Sequence, residues 1–158
     1  FISAYAESKF LTSHFSIIAA GGGDFNRFEL AEFKRLNIDD KIIQIDANDE
    51  KLAMCYRAAA CLVYPSLYEG FGLPPIEAMS LNCVVIASSA GSIPEICSNA
   101  AQYFDPKSVD SIRFSIESTL TDEKLMAQKR QLGLIVAKSF TWERTATDTL
   151  NAYKKIIA

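Results

Sequence analysis

The chain has 158 residues, 49% of them hydrophobic, and a formal net charge of −3. That length and apolar content suit one compact core, and the acidic balance leaves no basic surface to track a nucleic-acid backbone. Cys55, Cys61, Cys83 and Cys97 are scattered, form no C-x-x-C pair and share the chain with one histidine, His14, so no zinc site is expected and the thiols read as reduced and cytosolic.

Phe1-Ile2-Ser3-Ala4-Tyr5-Ala6 already reads as helix interior, with no cap and no strand before it. The expectation is a chain that begins inside a larger protein and lacks its first strand. His14 reads as a residue that caps or solvates a helix end. Phe15–Ala20 is the first strand, ending in Gly21-Gly22-Gly23, and Lys41–Ile45 is the second. Asn48-Asp49 can cap a helix whose Leu52, Tyr56 and Ala59 recur at helical spacing. Cys61–Pro65 and Val84–Ala87 are further strands, continuous rather than alternating in their apolar residues, which implies burial on both faces and a parallel sheet. Ser92-Ile93-Pro94-Glu95 predicts a capping box with proline in the first turn. A weak strand at Ala101–Phe104 precedes a helix buried along Val109, Ile112, Ile116 and Leu120. A last helix, capped by Thr141, carries a stripe of Trp142, Ala146, Leu150, Tyr153 and Ile157. This β-α alternation predicts one domain over residues 1–158, an α/β, doubly wound parallel sheet of Rossmann-like type. The apolar runs fall short of the roughly 18–20 residues that span a bilayer, and no signal peptide is visible.

Chemistry concentrates in Tyr64-Pro65-Ser66-Leu67-Tyr68-Glu69-Gly70-Phe71-Gly72-Leu73-Pro74-Pro75-Ile76-Glu77-Ala78-Met79, which follows a buried strand and leads into a helix. Ligands of open α/β sheets bind at that carboxyl edge. Gly70 and Gly72 permit a close backbone approach or a positive φ, and Pro74 and Pro75 suit a helix's first turn. The amides of Phe71, Gly72 and Leu73 are then free to meet an anion or sugar hydroxyls at a helix N-terminus. Glu69 and Glu77 frame the turn. Each part alone has a plainer reading: Glu77 as a helix-start preference, Gly-Phe-Gly as a tight connection, Tyr68 and Phe71 as core or pocket wall.

Taken together the segment closely resembles the Glu-x7-Glu signature of the family 4 glycosyltransferases. Asp49…Leu52…Tyr56…Ala59, Val85-Ile86-Ala87-Ser88…Gly91-Ser92-Ile93-Pro94-Glu95 and Phe140-Thr141-Trp142-Glu143 resemble further stretches of that family, so the likeness spans nearly the whole chain. It implies the C-terminal half of a GT-B fold and a retaining hexosyltransferase that uses a nucleoside-diphosphate sugar. By this resemblance Glu69 is the catalytic and donor-sugar residue, and Gly70, Phe71, Gly72 and Leu73 belong to the turn whose amides contact sugar and diphosphate. Glu77 binds the ribose hydroxyls, and Ile45 and Asp46 lie where backbone meets the base. It also implies a cytoplasmic enzyme of cell-surface polysaccharide synthesis. Its acceptor domain and the Arg and Lys that hold the diphosphate lie outside this chain. The chain departs from the family in Asn82-Cys83-Val84-Val85, where Gly-x-Pro-Val is common, and in Ile45-Asp46-Ala47, where a glycine is common. It contains no Asp-x-Asp, so neither metal nor other cofactor is expected. Two other readings are a catalytically inactive nucleotide-sugar-binding module and a sugar-nucleotide epimerase of the same fold. A glycosidase is disfavoured, because it needs two carboxyls flanking a bond at roughly 5–9.5 Å in an enclosing cleft.

Overall fold

The computed structural model describes residues 1–157. Two short helices, α1 (Ile2–Ala6) and α2 (Lys9–His14), precede β1 (Ile17–Ala20). Helices and parallel strands then alternate: α3 (Arg27–Arg35), β2 (Ile42–Ile45), α4 (Asp49–Ala58), β3 (Cys61–Tyr64), α5 (Leu73–Ser80), β4 (Val84–Ser88), α6 (Ile93–Cys97) and β5 (Gln102–Phe104). The chain closes on α7 (Val109–Leu120), α8 (Glu123–Lys138) and α9 (Trp142–Ile157). No helix among the described residues is long and apolar enough to cross a membrane.

The helix starts are chemically specified. Asn48 accepts from the Lys51 amide at the head of α4, as the sequence predicts. Asn26 forms a reciprocal capping box with Glu29 at the head of α3, and Ser8, Ser108 and Asp122 cap α2, α7 and α8. At the end of α5 the chain turns through Asn82 at φ 64°. The Asn82 amide donates to the Met79 carbonyl and the Cys83 amide to that of Ala78, a Schellman closure in which asparagine stands in for glycine. His14 ends α2 with its ring Nδ1 2.9 Å from the Phe10 carbonyl.

β4 is the spine of the molecule. All five of its residues are buried, because successive side chains enter two different cores. Val85 and Ala87 join Ile76, Met79, Ile93 and Cys97 beneath α5, α6 and α8. Val84 and Ile86 join Tyr5, Leu11, Phe33, Phe104, Ile112 and Ile116 beneath α1, α2 and α7. β3 pairs with one edge of β4 from Cys61 opposite Val84 to Tyr64 opposite Ala87. β5 pairs with the other edge from Ile86 opposite Gln102 to Ser88 opposite Phe104.

The expected doubly wound plan is present, with one break. β1 and β2 form a parallel pair and β3-β4-β5 a parallel trio, with no ladder between β1 and β3. A cavity of about 850 Å³ lies there, lined by Ile17–Ala20 on one side and Cys61–Tyr64 on the other. A doubly wound sheet seats its first strand between the second and the fourth, which in this chain is between β1 and β3.

Two local expectations are corrected. Ser92 has helical dihedrals and makes no cap hydrogen bond at the head of α6, so the Ser92–Glu95 capping box does not form. Val109, the first residue of α7, is exposed, while Ile112 and Ile116 of the same stripe are buried. α9 is strongly amphipathic and Thr141 caps it, accepting from the Arg144 amide at 3.2 Å. No residue of its stripe is buried, and Trp142 is 82% exposed.

α8 lies against α5 through Gly133. A Cβ there would stand 3.0 Å from Met79 Cγ and 3.3 Å from Met79 Cβ, with Met79 itself fully buried. Gly133→Val is expected to overpack this contact and lower stability by about 1–3 kcal/mol, read as a lower urea midpoint at unchanged slope.

Candidate functional site

β3 and β4 run parallel, so the segments that follow them emerge on the same rim of the sheet. From β3 the chain enters Pro65–Gly72 and then α5. From β4 it enters Ser89–Ser92 and then α6. The two segments are fastened to each other. The Ser92 hydroxyl lies 2.9 Å from the Glu69 carbonyl and 3.3 Å from that of Phe71. Gly91 sits against the same backbone, where an added Cβ would stand 3.4 Å from the Glu69 nitrogen. The hydroxyl that local sequence assigned to a helix cap therefore braces the neighbouring turn.

Gly72 is the hinge of that turn. It is the N-cap of α5, in the left-handed region at φ 96°. A Cβ on it would come within 2.7 Å of Ile93 Cδ1. Gly70, the other glycine of the motif, has ordinary φ and open space around it. Pro74 and Pro75 fill the second and third helical positions and bring no N–H. Of the orphan donors that begin a helix, Gly72 and Leu73 thus keep theirs. Neither amide, nor that of Phe71, donates to any protein acceptor among the described residues. Phe71 packs edge-on against Phe140, centroids 5.7 Å apart, so its ring walls the turn rather than the core. Tyr68 is 85% exposed and belongs to neither.

The two glutamates have different surroundings. Glu69 is half-buried, and its Oε1 accepts from the Tyr64 hydroxyl at 2.8 Å and the Ser66 hydroxyl at 2.9 Å. Burial, followed by the bond to Glu69 and its charge, pushes the Tyr64 phenol up to about 12, which keeps it a proton donor throughout the neutral range. Glu77 is exposed on α5, and its carboxylate accepts no protein donor among the described residues, while its carbonyl accepts from the Ser80 hydroxyl at 2.7 Å. Its charge acts on Tyr56 of α4, whose phenol is pushed up to about 12 mainly by burial and secondarily by Glu77. Ile45 and Asp46, at the end of β2, line a separate hollow of about 460 Å³ with Lys51, Met54 and Cys55. Neither this hollow nor the slot between β1 and β3 is lined by Glu69 or Glu77.

Burial pushes the Cys61 thiol up to about 12 and those of Cys83 and Cys97 up to about 11, which keeps all three protonated. No three His, Cys, Asp or Glu side chains among the described residues converge as metal ligands would. Sequence reasoning placed Tyr64 and Ser66 in the segment that carries the chemistry but gave neither a role, and it assigned Ser92 to a helix cap. A tyrosine ending an apolar strand and serines in loops give no local signal of which backbone or carboxylate they will meet.

Comparisons with known proteins identify the family of the chain. Residues 1–133 match the family model described as Glycosyl transferases group 1. O-antigen chain mannosyltransferase B of Escherichia coli is 45% identical over 106 residues, 67% of this chain and 28% of that protein. The serotype-specific mannosyltransferase WbdA of Escherichia coli is 32% identical over 128 residues, 81% of this chain and 16% of that protein. The chain therefore spans less than a third of the length of either relative. Among solved structures, the C-terminal domain of a glycosyl transferase group 1 family protein from Francisella tularensis superposes with a TM-score of 0.73. It shares 30% identity, across 88% of this chain and 76% of that one.

Gly72→Ala is expected to destabilise the protein by about 1–3 kcal/mol, because it meets both a left-handed backbone and the Ile93 methyl. Gly70→Ala, which meets neither, is expected to stay within about 0.5 kcal/mol of the parent. Paired urea melts check this, and equal losses at the two positions would contradict it.

Proposed function

The chain belongs to the group 1 glycosyl transferases, and from that premise we propose that it forms the donor-binding part of a retaining hexosyltransferase of family 4 type, taking a nucleoside-diphosphate sugar. The observation that carries this reading is the pair of unpartnered amides, Gly72 and Leu73, at the head of α5 beside the Glu69 carboxylate. Amides at a helix N-terminus suit a diphosphate, and a carboxylate suits the hydroxyls of a sugar. In this reading Glu69, Gly70, Phe71, Gly72 and Leu73 contact sugar and diphosphate. Glu77 accepts the ribose hydroxyls, and the hollow at Ile45 and Asp46 takes the base. Both relatives named above are mannosyltransferases, which favours mannose as the hexose and O-antigen-type polysaccharide as its destination.

Catalysis in such a site is positioning and charge stabilisation. The sugar gains oxocarbenium character as the diphosphate departs, and the free amides meet negative charge on the leaving group. Transfer needs an acceptor, whose domain the proposal places elsewhere in the full-length protein. The 158 residues alone are accordingly expected to bind nucleotide and transfer nothing. No metal takes part: the amides of α5 and basic residues beyond the turn meet the diphosphate.

Glu77→Ala is expected to weaken nucleotide binding about ten- to a hundredfold, the loss of roughly 1.5–3 kcal/mol from one charge-assisted contact. Calorimetric titration of the full-length protein with GDP and with UDP checks this, and an unchanged affinity for both removes Glu77 from the site. Donor turnover is expected to be unaffected by EDTA. Activity lost on chelation and restored by Mg²⁺ or Mn²⁺ would overturn the metal-free reading.

A further inference from the structure

Tyr64 ends β3, Ser66 follows one residue later, and both hydroxyls converge on a single oxygen of Glu69, at 2.8 and 2.9 Å. Two donors fill the two lone-pair directions of Oε1. Ser66 has a second acceptor within reach, the Tyr68 carbonyl at 3.2 Å. The carboxylate is both closer and charged, and a charge-assisted bond is the stronger one. Oε2 has no hydrogen-bond or ion-pair partner among the described residues. The backbone beneath is held independently, by Ser92 on the Glu69 carbonyl and by the close approach of Gly91. Main chain and side chain of Glu69 are thus fixed by different groups, and one carboxylate oxygen is left open.

We propose that Tyr64 and Ser66 are positioning residues that hold Glu69 through Oε1, so that Oε2 alone accepts one hydroxyl of the donor sugar. The inference rests on the reading of Glu69 as the donor-sugar residue and assigns the means by which the fold aims it. A carboxylate anchored at one oxygen cannot rotate to follow a displaced sugar, so it rewards one hydroxyl placement over its epimer. Tyr64 suits this role because its ring is seated at the strand end and its phenol remains protonated at neutral pH.

The test uses the full-length protein with GDP-mannose and GDP, and three single variants: Tyr64→Phe, Ser66→Ala and Ser66→Thr. Tyr64→Phe and Ser66→Ala are each expected to lower kcat about tenfold and both together about a hundredfold, with the Kd for GDP within about twofold of the parent. Ser66→Thr, which keeps the hydroxyl, is expected to retain most of the rate. In a Glu69→Ala background Tyr64→Phe is expected to have no further effect, since the side chain it holds is gone. Tyr64→Phe with unchanged kcat, a full tenfold effect on top of Glu69→Ala, or a loss of GDP affinity matching the loss of kcat would each overturn the proposal. A second measurement needs no donor: in a crystal structure of the Tyr64→Phe/Ser66→Ala variant, the Glu69 carboxylate is expected to leave its position while the backbone of residues 65–73 stays in place. A carboxylate that stays put overturns the positioning role whatever the kinetics show. Normal kcat in Glu69→Gln, with the carboxylate displaced in the double variant, would instead overturn the donor-sugar reading alone.

Discussion

The turn between β3 and α5 depends on the absence of one carbon atom. At Gly72 the backbone is left-handed, and the space a Cβ would take is already held by the Ile93 side chain, 2.7 Å away. The two facts have separate origins. The first is the dihedral at which the chain enters α5; the second is Ile93, at the head of α6, packed against that entrance. Together they set the direction in which the Gly72 and Leu73 amides point and the height at which Glu69 stands above the rim. Gly70 carries neither constraint, although a sequence motif ranks the two glycines alike.

The rim is rigid because of what lies under it. β4 is buried on both faces, and the chain leaving it supplies Gly91 and Ser92 to the turn that leaves β3. A serine hydroxyl shared between two backbone carbonyls is worth only about 0.5–1.5 kcal/mol. Its importance is positional, since it closes two neighbouring loops into one unit. The candidate site is therefore built by adjacent parallel strands, and the register Tyr64 opposite Ala87 brings residues 64–69 and 88–92 to the same level.

Much of this was legible in the sequence, and the limits have physical causes. Continuous apolar runs located every strand to within about two residues, because a doubly covered strand leaves little room for polar side chains. Asn82, where the family commonly has glycine, can hold the left-handed helix end because asparagine is among the few other residues that accept that conformation. The Ser92–Glu95 box was misread because a local pattern records which donors are nearby in sequence. The carbonyls that actually engage Ser92 are more than twenty residues away. The Trp142–Ile157 stripe was correctly periodic, but periodicity reports that a helix has an apolar face and not what covers it. The break in the sheet follows from the same principle. β1 and β3 each read as good strands, and nothing in either shows that they do not pair with each other.

The electrostatics of the turn divide the work of the proposed reaction. Glu69 and Glu77 make no ion pair among the described residues, so a diphosphate approaching the head of α5 meets two negative side chains. The helix terminus returns only about 0.3–1 kcal/mol. In a water-like medium a carboxylate opposes a unit negative charge by roughly 0.4–0.5 kcal/mol at a separation of about 8–10 Å, so two of them offset a gain of that size. Such a site can read hydroxyls on the sugar and the ribose, but it does not by itself hold a leaving group that gathers charge. Stabilising that charge falls to cations beyond the turn, and the glutamates are left to do what carboxylates do well, which is to fix a polyhydroxylated ring by its hydrogen-bond donors.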